Sequence, residues 1–230
     1  MIRSLLASAV SARCFDGLQF IVMLLSHYYT GKVEAGCDEA GRGCLAGSVY
    51  AAAVIFPEDY QNDELNDSKQ LTARRRKLLR DIIQRDALAW AVGVVSPEEI
   101  DRINILNASI LAMHRALDQL QVRPEAIIVD GNRFNPYRPV VDGIAVSIPH
   151  TTIVKGDGKY LSIAAASILA KTYRDDYMDE LAQQYPQYDW LSNKGYPTKK
   201  HREAIRQYGI TPYHRKTFNM LGDGQLSFDF

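Results

Sequence analysis

Two adjacent carboxylates, Asp38 and Glu39, constrain the fold most, because they stand directly before the run Gly41-Arg42-Gly43. The preceding residues, Val33 to Cys37, predict a strand that enters a core. Neighbouring side chains of a regular strand point to opposite faces, so both carboxylates serve one site only if the strand ends there and the chain bends. Glycine permits backbone conformations that other residues avoid, which makes such a bend possible. The segment therefore predicts acidic side chains at a tight turn that also carries a cation.

The composition predicts one domain without an overall charge. The 230 residues are 47% hydrophobic, which fits one sizeable core with a small appendage. The 27 basic and 27 acidic residues cancel, so any affinity for nucleic acid must come from local clusters. Basic side chains gather at 74–77, 155–171, 194–202 and 215–216, and acidic ones at 58–67, 98–101 and 175–180. Each cluster by itself is also typical of a solvated helix face.

The three cysteines, Cys14, Cys37 and Cys44, form no Cys-x-x-Cys pair. Their odd number and spacing argue against a disulfide framework and a thiolate zinc site, and predict a reducing, cytoplasmic location. No apolar run approaches the ~20 residues that span a bilayer, so no membrane association is expected. A second methionine, Met23, lies shortly before the first predicted strand. We therefore expect residues 1–22 to be a disordered leader or an artefact of the assigned start site.

The hydrophobic pattern predicts an α/β domain. Three strands that can pair as a meander come first, and strands separated by helices follow, which is typical of a mixed sheet with helices on its faces. The predicted strands are Val33 to Cys37, Gly47 to Phe56, Leu88 to Val95, Ala126 to Val129 and Ser147 to Val154. The predicted helices are Thr72 to Arg85, one begun by Ser96-Pro97-Glu98-Glu99, Asn104 to Leu120 and Ser162 to Gln184, with a helical appendage from about Asn193.

Two further acids, Asp130 and Asp157, stand beside glycines at predicted turns, as Asp38 and Glu39 do. A carboxylate directly after a buried strand is costly to leave charged and unpaired, so it needs a cation nearby. Oxygen ligands without thiolates are what Mg²⁺ or Mn²⁺ prefers. If the four acids converge, they would hold two metal ions ~3.5 to 4 Å apart, the arrangement that activates water for phosphodiester cleavage. The alternative is that the Asp-Gly pairs simply make turns.

Short motifs recur in a fixed order along the chain. They are Asp38 to Gly43, Asn66 to Leu71, Val129 to Gly131, Lys155 to Asp157, Ala165 to Lys171 and Gly195 to Thr198. Together, over about Val33 to Thr211, they resemble the motifs of the bacterial ribonuclease HII family, the type 2 ribonucleases H. The resemblance implies a ribonuclease H-like fold, with a mixed five-stranded sheet flanked by helices.

The resemblance also implies an activity. A member of this family would be an endonuclease that cuts the RNA strand of RNA/DNA hybrids and cuts at single ribonucleotides embedded in duplex DNA. Cleavage would use two metal ions, Mg²⁺ or Mn²⁺, and leave 5′-phosphate and 3′-hydroxyl ends. The implied roles are the removal of ribonucleotides and of RNA primers in DNA repair and replication.

Individual residues receive roles from the same resemblance. The catalytic and metal-binding acids would be Asp38, Glu39, Asp130 and Asp157. Asp175 is an alternative for the last position, although its setting on a helix favours a solvated or salt-bridged carboxylate. The implied substrate contacts are Gly41, Arg42 and Gly43 at the 2′-hydroxyl, Tyr196 at the sugar of the RNA-to-DNA junction, and Ser68, Lys69, Ser167 and Lys171 at phosphates. His201, in a basic run, is expected at the surface of a helix, with a position near the phosphates as the alternative.

The last residues carry a further signal. The segment Gly222-Asp223-Gly224 leads to Gln225, Leu226, Phe228 and Phe230, a pattern similar to the bacterial sliding-clamp binding motif with Phe228 at its second leucine position. A short apolar tail suits a partner's pocket, and it equally suits folding back onto its own domain. We therefore divide the chain, expected to be a monomer, into a leader 1–22, a catalytic domain 23–211 that includes the appendage, and a tail 212–230.

Two rival functions remain at this point. One is a catalytically silent module that binds hybrids, and the four intact acids argue against it. The other is a metal-dependent DNA nuclease on the same fold, which would not need the Gly41-Arg42-Gly43 run and Tyr196 to detect a 2′-hydroxyl. Cleavage of a duplex with one embedded ribonucleotide, compared with its all-DNA counterpart, distinguishes these functions.

Overall fold

A mixed five-stranded sheet forms the centre of this computed structural model, which describes residues 23–65 and 71–222. The strands are β1 (Glu34–Ala40), β2 (Val49–Ile55), β3 (Ala89–Val95), β4 (Ala126–Asp130), β5 (Val140–Val141), β6 (Ile144–Ala145) and β7 (His150–Ile153). The order in the sheet is β3-β2-β1-β4-β7, and β5 with β6 forms a separate small hairpin. β1, β2 and β3 are antiparallel neighbours, whereas β4 and β7 run parallel to β1. The predicted α/β class and mixed five-stranded sheet are confirmed.

Helices cover both faces of this sheet. They are α1 (Ala73–Asp86), α2 (Pro97–Ile103), α3 (Ile105–Asp118), α4 (Leu161–Gln184), α5 (Trp190–Asn193) and α6 (Lys199–Tyr208). Thr72 caps α1 by accepting the Arg75 N–H, and Ser96 forms a capping box with Glu99 at α2, so both predicted helix starts are confirmed. Within the described ranges, no helix has the length and apolar character that crossing a membrane requires.

The two faces of the sheet bury different side chains, because neighbours on a strand alternate. Cys37 and Ala53 belong to the core on the α3 side, whereas Ala52 belongs to the core that α1 and α4 share. Gly36 allows a close approach of helix α4, since a Cβ atom there would lie 2.4 Å from the carbonyl carbon of Ser162. Helix α4 therefore packs directly on β1.

The C-terminal appendage packs around Trp190, which is fully buried in α5. Ile205 of α6 and Leu221 of the following segment belong to the same apolar cluster. His214 and Arg215 in this segment are also buried. The packed structure thus continues past residue 211, where the predicted catalytic domain ends, and includes Leu221.

Candidate active site

The site begins where the parallel pairing of β1 and β4 ends, at Cys37 and Val129. One residue further along each strand stand Asp38 and Asp130, and both line the same cleft. Two parallel strands that stop pairing at the same level place the next side chains side by side. The backbone register therefore brings together two acids that are far apart in the sequence.

The sequence predicted a strand that ends at Cys37, before the two carboxylates, but β1 is longer. It continues through Asp38 and Glu39 to Ala40, paired with β2 on one side. On the other side, its pairing with β4 has already ended at Cys37. The expectation that both carboxylates serve one site only at a strand end is therefore wrong, because the unpaired side of β1 opens onto a cleft that both side chains line.

This cleft has a volume of about 260 Å³ and lies between the end of β1, the tip of β4 and helix α4. Ala40 and Arg76 complete its wall. The residues predicted from the sequence that it brings together are Asp38, Glu39, Gly41, Arg42, Gly43, Asp130, Ser167, Lys171 and Tyr196. Acidic side chains, a glycine-rich turn and an aromatic ring thus share one depression.

Asp38 is the most deeply placed of these acids, with 5% of its surface exposed. Burial raises the pKa of its carboxyl well above the ordinary value, and the carboxylates of Glu39 and Asp130 raise it further. Hydrogen bonds from Ser167 and from the Glu39 N–H, 2.7 Å from Oδ1, oppose this rise. Three carboxylates in one small cleft repel one another, and a bound cation would relieve that repulsion.

Asp157 is not among the residues that line the cleft. It is buried, with 3% exposed, in the 3₁₀ turn Gly156–Gly158. The turn contacts the cleft through Gly156, whose N–H donates to Oδ1 of Asp130 at 2.7 Å. Among residues 23–65 and 71–222, no three acidic, histidine or cysteine side chains are arranged to hold a metal ion by themselves. Asp157 is thus next to the acidic cluster without completing a metal cage.

Two ion pairs border the cluster of acids. Lys171 and Asp175 form an ion pair on successive turns of α4, with 2.5 Å between Nζ and Oδ1. This pair confirms the expectation that Asp175 is salt-bridged. Arg42 pairs with Glu39 at 3.2 Å, and half of its side chain is exposed. Both cations line the cleft beside its carboxylates.

His201 is fully buried, so the prediction of a surface histidine is wrong. It lies on the inner side of α6, where Nε2 contacts the indole nitrogen of Trp190 at 2.9 Å and the ring of His214 at 3.3 Å. Its Nδ1 lies 2.9 Å from the main-chain oxygen of Tyr196. The two preceding lysines face solvent, so the basic run is the outer part of an amphipathic helix. His201 thus supports the Tyr196 loop from behind.

Three arginines at the site were missed from the sequence. Arg76 lines the cleft, although the sequence shows it only as part of a basic run. Arg174 and Arg215 are fully buried beside the cleft. Arg174 follows Ser167 and Lys171 at helical spacing, so the periodicity of α4 was the available signal. Arg215 stands in an irregular segment and carried no such signal.

Some predicted residues lie outside the described part of the chain. Ser68 and Lys69 belong to 66–70, and the tail residues Gln225, Leu226, Phe228 and Phe230 belong to 223–230. The predicted leader, 1–22, also lies outside it. The roles assigned to these residues stay predictions.

Comparison with known proteins gives concordant matches. The family model of ribonuclease HII matches residues 35–221. The ribonuclease HII of Parabacteroides distasonis is 69% identical over 208 residues, which cover 90% of this chain and 100% of that protein. The ribonuclease H2 structure from Pyrococcus horikoshii OT3 has a TM-score of 0.67 and 29% identity, over 82% of this chain and 94% of that chain. The RNase HII of Archaeoglobus fulgidus, solved in complex with PCNA, has a TM-score of 0.64 and 25% identity, over 86% of this chain and 98% of that chain.

The matched range contains the sheet apart from its first residue, Glu34, and it contains the cleft and the packed appendage. It also contains each of the short motifs on which the resemblance was based, from Asp38 to Thr198. Family, relatives and fold therefore agree with the resemblance drawn from the sequence. The chain belongs to the ribonuclease HII family of ribonuclease H enzymes.

Proposed function

We propose that the chain is a metal-dependent endonuclease that cuts the RNA strand of RNA/DNA hybrids and cuts at single ribonucleotides embedded in duplex DNA. The observation that carries this proposal is that Asp38, Glu39 and Asp130 share one cleft with the turn 41–43. The acids offer ligands for a metal ion, and the turn offers main chain that a sugar can approach. A silent binding module does not need the first feature, and a DNA nuclease does not need the second.

The donor set of the cleft fits a divalent cation. Asp38, Glu39 and Asp130 offer only oxygen ligands, and positive charge would relieve the repulsion that raises the pKa of Asp38. Mg²⁺ is commonly held by one or two carboxylates together with water and substrate phosphates, so a site without a complete protein cage suits it. We assign Asp157 to the same set because it adjoins Gly156, and we propose two ions, Mg²⁺ or Mn²⁺. When bound, these ions would supply activation of a water molecule and stabilisation of the departing 3′-oxygen, a reaction that would leave 5′-phosphate and 3′-hydroxyl ends.

Gly43 supports recognition of ribose by the main chain. A Cβ atom built at Gly43 meets no atom within 4 Å, and its φ lies outside the left-handed region. The described part of the protein therefore does not require glycine at this position. A ribonucleotide does require it, if its 2′-hydroxyl is to lie against the main chain of the turn. We propose that Arg42, half exposed at the same turn, contributes to this contact at the 2′-hydroxyl together with Gly41 and Gly43.

Tyr196 supports recognition of the junction. Its side chain lines the cleft, and 42% of the residue is exposed. An aromatic face beside the carboxylates suits packing against the sugar or base next to the ribonucleotide. Ser167 and Lys171, on successive turns of α4, line the same cleft. We propose that they contact phosphates and so orient the duplex without reading its sequence. We propose the same role for Ser68 and Lys69.

The test compares three substrates: a duplex with one embedded ribonucleotide, its all-DNA counterpart and an RNA/DNA hybrid, each with Mg²⁺ and with EDTA. We expect Mg²⁺-dependent cleavage of the two substrates that contain ribose, and nicks that a DNA polymerase extends from a free 3′-hydroxyl. Equal cleavage of the all-DNA duplex would identify a DNA nuclease. Binding of the hybrid without any cleavage would identify a silent module. Either result would overturn the proposal.

The proposed roles are the removal of ribonucleotides and RNA primers in the cytoplasm by a monomeric enzyme. The proposed protein partner is the sliding clamp. The tail pattern with Leu226 and Phe230 supports this partner, as does the solved complex of the archaeal RNase HII with PCNA. A labelled peptide of residues 221–230, titrated with a bacterial sliding clamp, should bind saturably and lose affinity on Phe230→Ala. The absence of saturable binding would end the clamp proposal.

A further inference from the structure

A buried arginine of α4 connects two loops of the cleft. Arg174 is fully buried, and its guanidinium donates from Nε to the main-chain oxygen of Ser48 at 3.1 Å. Nη2 donates to the main-chain oxygen of Ala46 at 3.1 Å, and Nη1 donates to that of Lys194 at 3.0 Å. One guanidinium thus joins the segment that follows the turn 41–43 to the loop that carries Tyr196.

A second buried arginine reaches the turn itself. Arg215 is also fully buried, and Nη1 donates to the main-chain oxygen of Arg42 at 2.9 Å. Nε and Nη2 both donate to the main-chain oxygen of Gly47, at 3.0 and 2.8 Å. The main-chain N–H of Arg215 donates to Leu45 at 2.9 Å. The C-terminal segment therefore holds the turn 41–43 from behind.

The two loops also contact each other without space between them. The N–H of Leu45 donates to the main-chain oxygen of Gly195 at 2.8 Å. A Cβ atom at Gly195 would lie 2.5 Å from the main-chain oxygen of Ala46, and one at Gly41 would lie 2.1 Å from Nε of Arg174. The glycines thus let the main chain close around the guanidiniums.

The choice of hydrogen-bond partners indicates what these arginines do. A buried guanidinium is costly unless its donors are satisfied. Within the described residues, Arg174 and Arg215 donate only to main-chain oxygens, and all of these lie in the two loops that border the cleft. Such bonds fix the position of the main chain, which is the part of the turn that a ribose would approach.

We propose that Arg174 and Arg215 are positioning residues that hold the turn 41–43 and the Tyr196 loop as one unit, so that recognition of the 2′-hydroxyl and of the RNA-to-DNA junction act together. The inference rests on the proposed function of these two elements. A single embedded ribonucleotide needs both elements in register, whereas a long hybrid places ribose on both sides of the scissile bond. Loss of the connection should therefore impair cleavage at a single ribonucleotide more than cleavage of a long hybrid.

The test uses Arg174→Lys and Arg215→Lys, with Arg115→Lys as a matched control whose guanidinium pairs with Glu99 outside the cleft. At a single ribonucleotide we expect kcat to fall about 10- to 100-fold for the first two variants, with a smaller change in KM, because small displacements of recognition groups have effects of this size. Arg115→Lys should match the wild type. If the arginines only maintained the fold, kcat would fall by the same factor on both substrates, and the inference would be overturned.

A double-mutant comparison tests the connection to Tyr196 directly. Tyr196→Ala should cost less activity in the Arg215→Lys background than in the wild type, because the loop is then already displaced. The same fold-loss in both backgrounds would overturn the inference. If the arginine variants do not fold, Gly195→Ala replaces them in the same comparison of the two substrates, because its Cβ would push the two loops apart while both guanidiniums remain. Equal loss of kcat on both substrates would again overturn the inference. A wild-type enzyme that does not cut at the ribonucleotide would overturn the proposed function instead, which keeps the two failures distinguishable.

Discussion

The indole N–H of Trp190 donates to Nε2 of His201 across 2.9 Å. An indole nitrogen only donates, so His201 carries its own proton on Nδ1, 2.9 Å from the main-chain oxygen of Tyr196. Thr211 donates its main-chain N–H to Nδ1 of His214 at 2.9 Å, which leaves the proton of His214 on Nε2, facing His201. Two neutral imidazoles thus form a chain of hydrogen bonds that ends at the loop of the candidate active site.

The hydrogen-bond chain through His201 and His214 predicts that the protein loses stability as the pH falls from 6.5 to 5. Burial lowers the pKa of His201, and it lowers the pKa of His214 from its ordinary 6.5 to about 3. In this pH range the unfolded state takes up protons that the folded state does not, so the free energy of unfolding decreases as the pH falls. For His214 alone the loss is about 2 kcal/mol. Urea unfolding at pH 7 and at pH 5 measures it.

The matched control for this prediction is His214→Asn, which should be less stable at pH 7 and show a weaker pH dependence. The pKa values of Asp38 and Glu34 are raised, so these two groups lower the free energy of unfolding as the pH rises. Their effect is therefore opposite in sign to that of His214. They are present in both proteins, so the difference between the two pH profiles isolates His214. Identical pH dependence of the two proteins would contradict the chain of neutral imidazoles.

Gly41 and Gly43 should respond differently to alanine. Gly41→Ala should lower the free energy of unfolding by about 1 to 3 kcal/mol, because its φ is 97° and its Cβ would meet Arg174. Gly43→Ala should leave stability unchanged, since its Cβ would enter open space. It should nevertheless lower kcat/KM at an embedded ribonucleotide about 10- to 100-fold, if the sugar approaches the main chain there. Urea unfolding and cleavage assays separate the effects, and wild-type cleavage by Gly43→Ala would rule out that approach.

Much of the site could be predicted because its residues stand at the ends of local patterns. Asp130 ends a buried apolar strand, and the glycines around residue 42 mark a turn, so the local pattern located these residues and the family resemblance assigned their roles. The extent of β1 was not predictable in the same way. Its pairing with β2 continues to Ala40 whereas its pairing with β4 stops at Cys37, and this difference depends on partners that are distant in the sequence.

The burial of certain polar side chains was also not predicted from the sequence. Propensity and charge patterns place histidine and arginine at the surface, and burial of either requires partners that a local pattern does not contain. The burial of His201 is possible because its ring forms hydrogen bonds with Trp190 and His214. The burial of Arg215 is possible because its guanidinium donates to main-chain oxygens of the 42–47 segment. These side chains connect the appendage to the cleft, so the sequence revealed the reacting groups more readily than their support.

Asp38→Asn should abolish cleavage and leave binding of an RNA/DNA hybrid largely intact, because a neutral amide is a poor ligand for Mg²⁺. In EDTA the variant should melt about 2 to 4 °C higher than the wild type, since roughly 1 kcal/mol of repulsion among the carboxylates is removed. Mg²⁺ should raise the Tm of the wild type more than that of the variant. Asp142→Asn, on the exposed hairpin, is the charge-matched control and should keep full activity. Near-normal Mg²⁺-dependent cleavage by Asp38→Asn would exclude the assigned role.

Tyr196→Ala should lower cleavage at a single embedded ribonucleotide about 10- to 100-fold, because aromatic packing against a nucleotide is worth about 1 to 3 kcal/mol. Tyr196→Phe should keep most of the activity if the ring face provides this contact, and cleavage of a long hybrid should be less affected by either change. The control is Tyr28→Ala, which removes another exposed ring outside the cleft. Rates are measured on both substrates under single-turnover conditions. If Tyr196→Ala cuts at the embedded ribonucleotide as fast as the wild type, Tyr196 does not detect the junction.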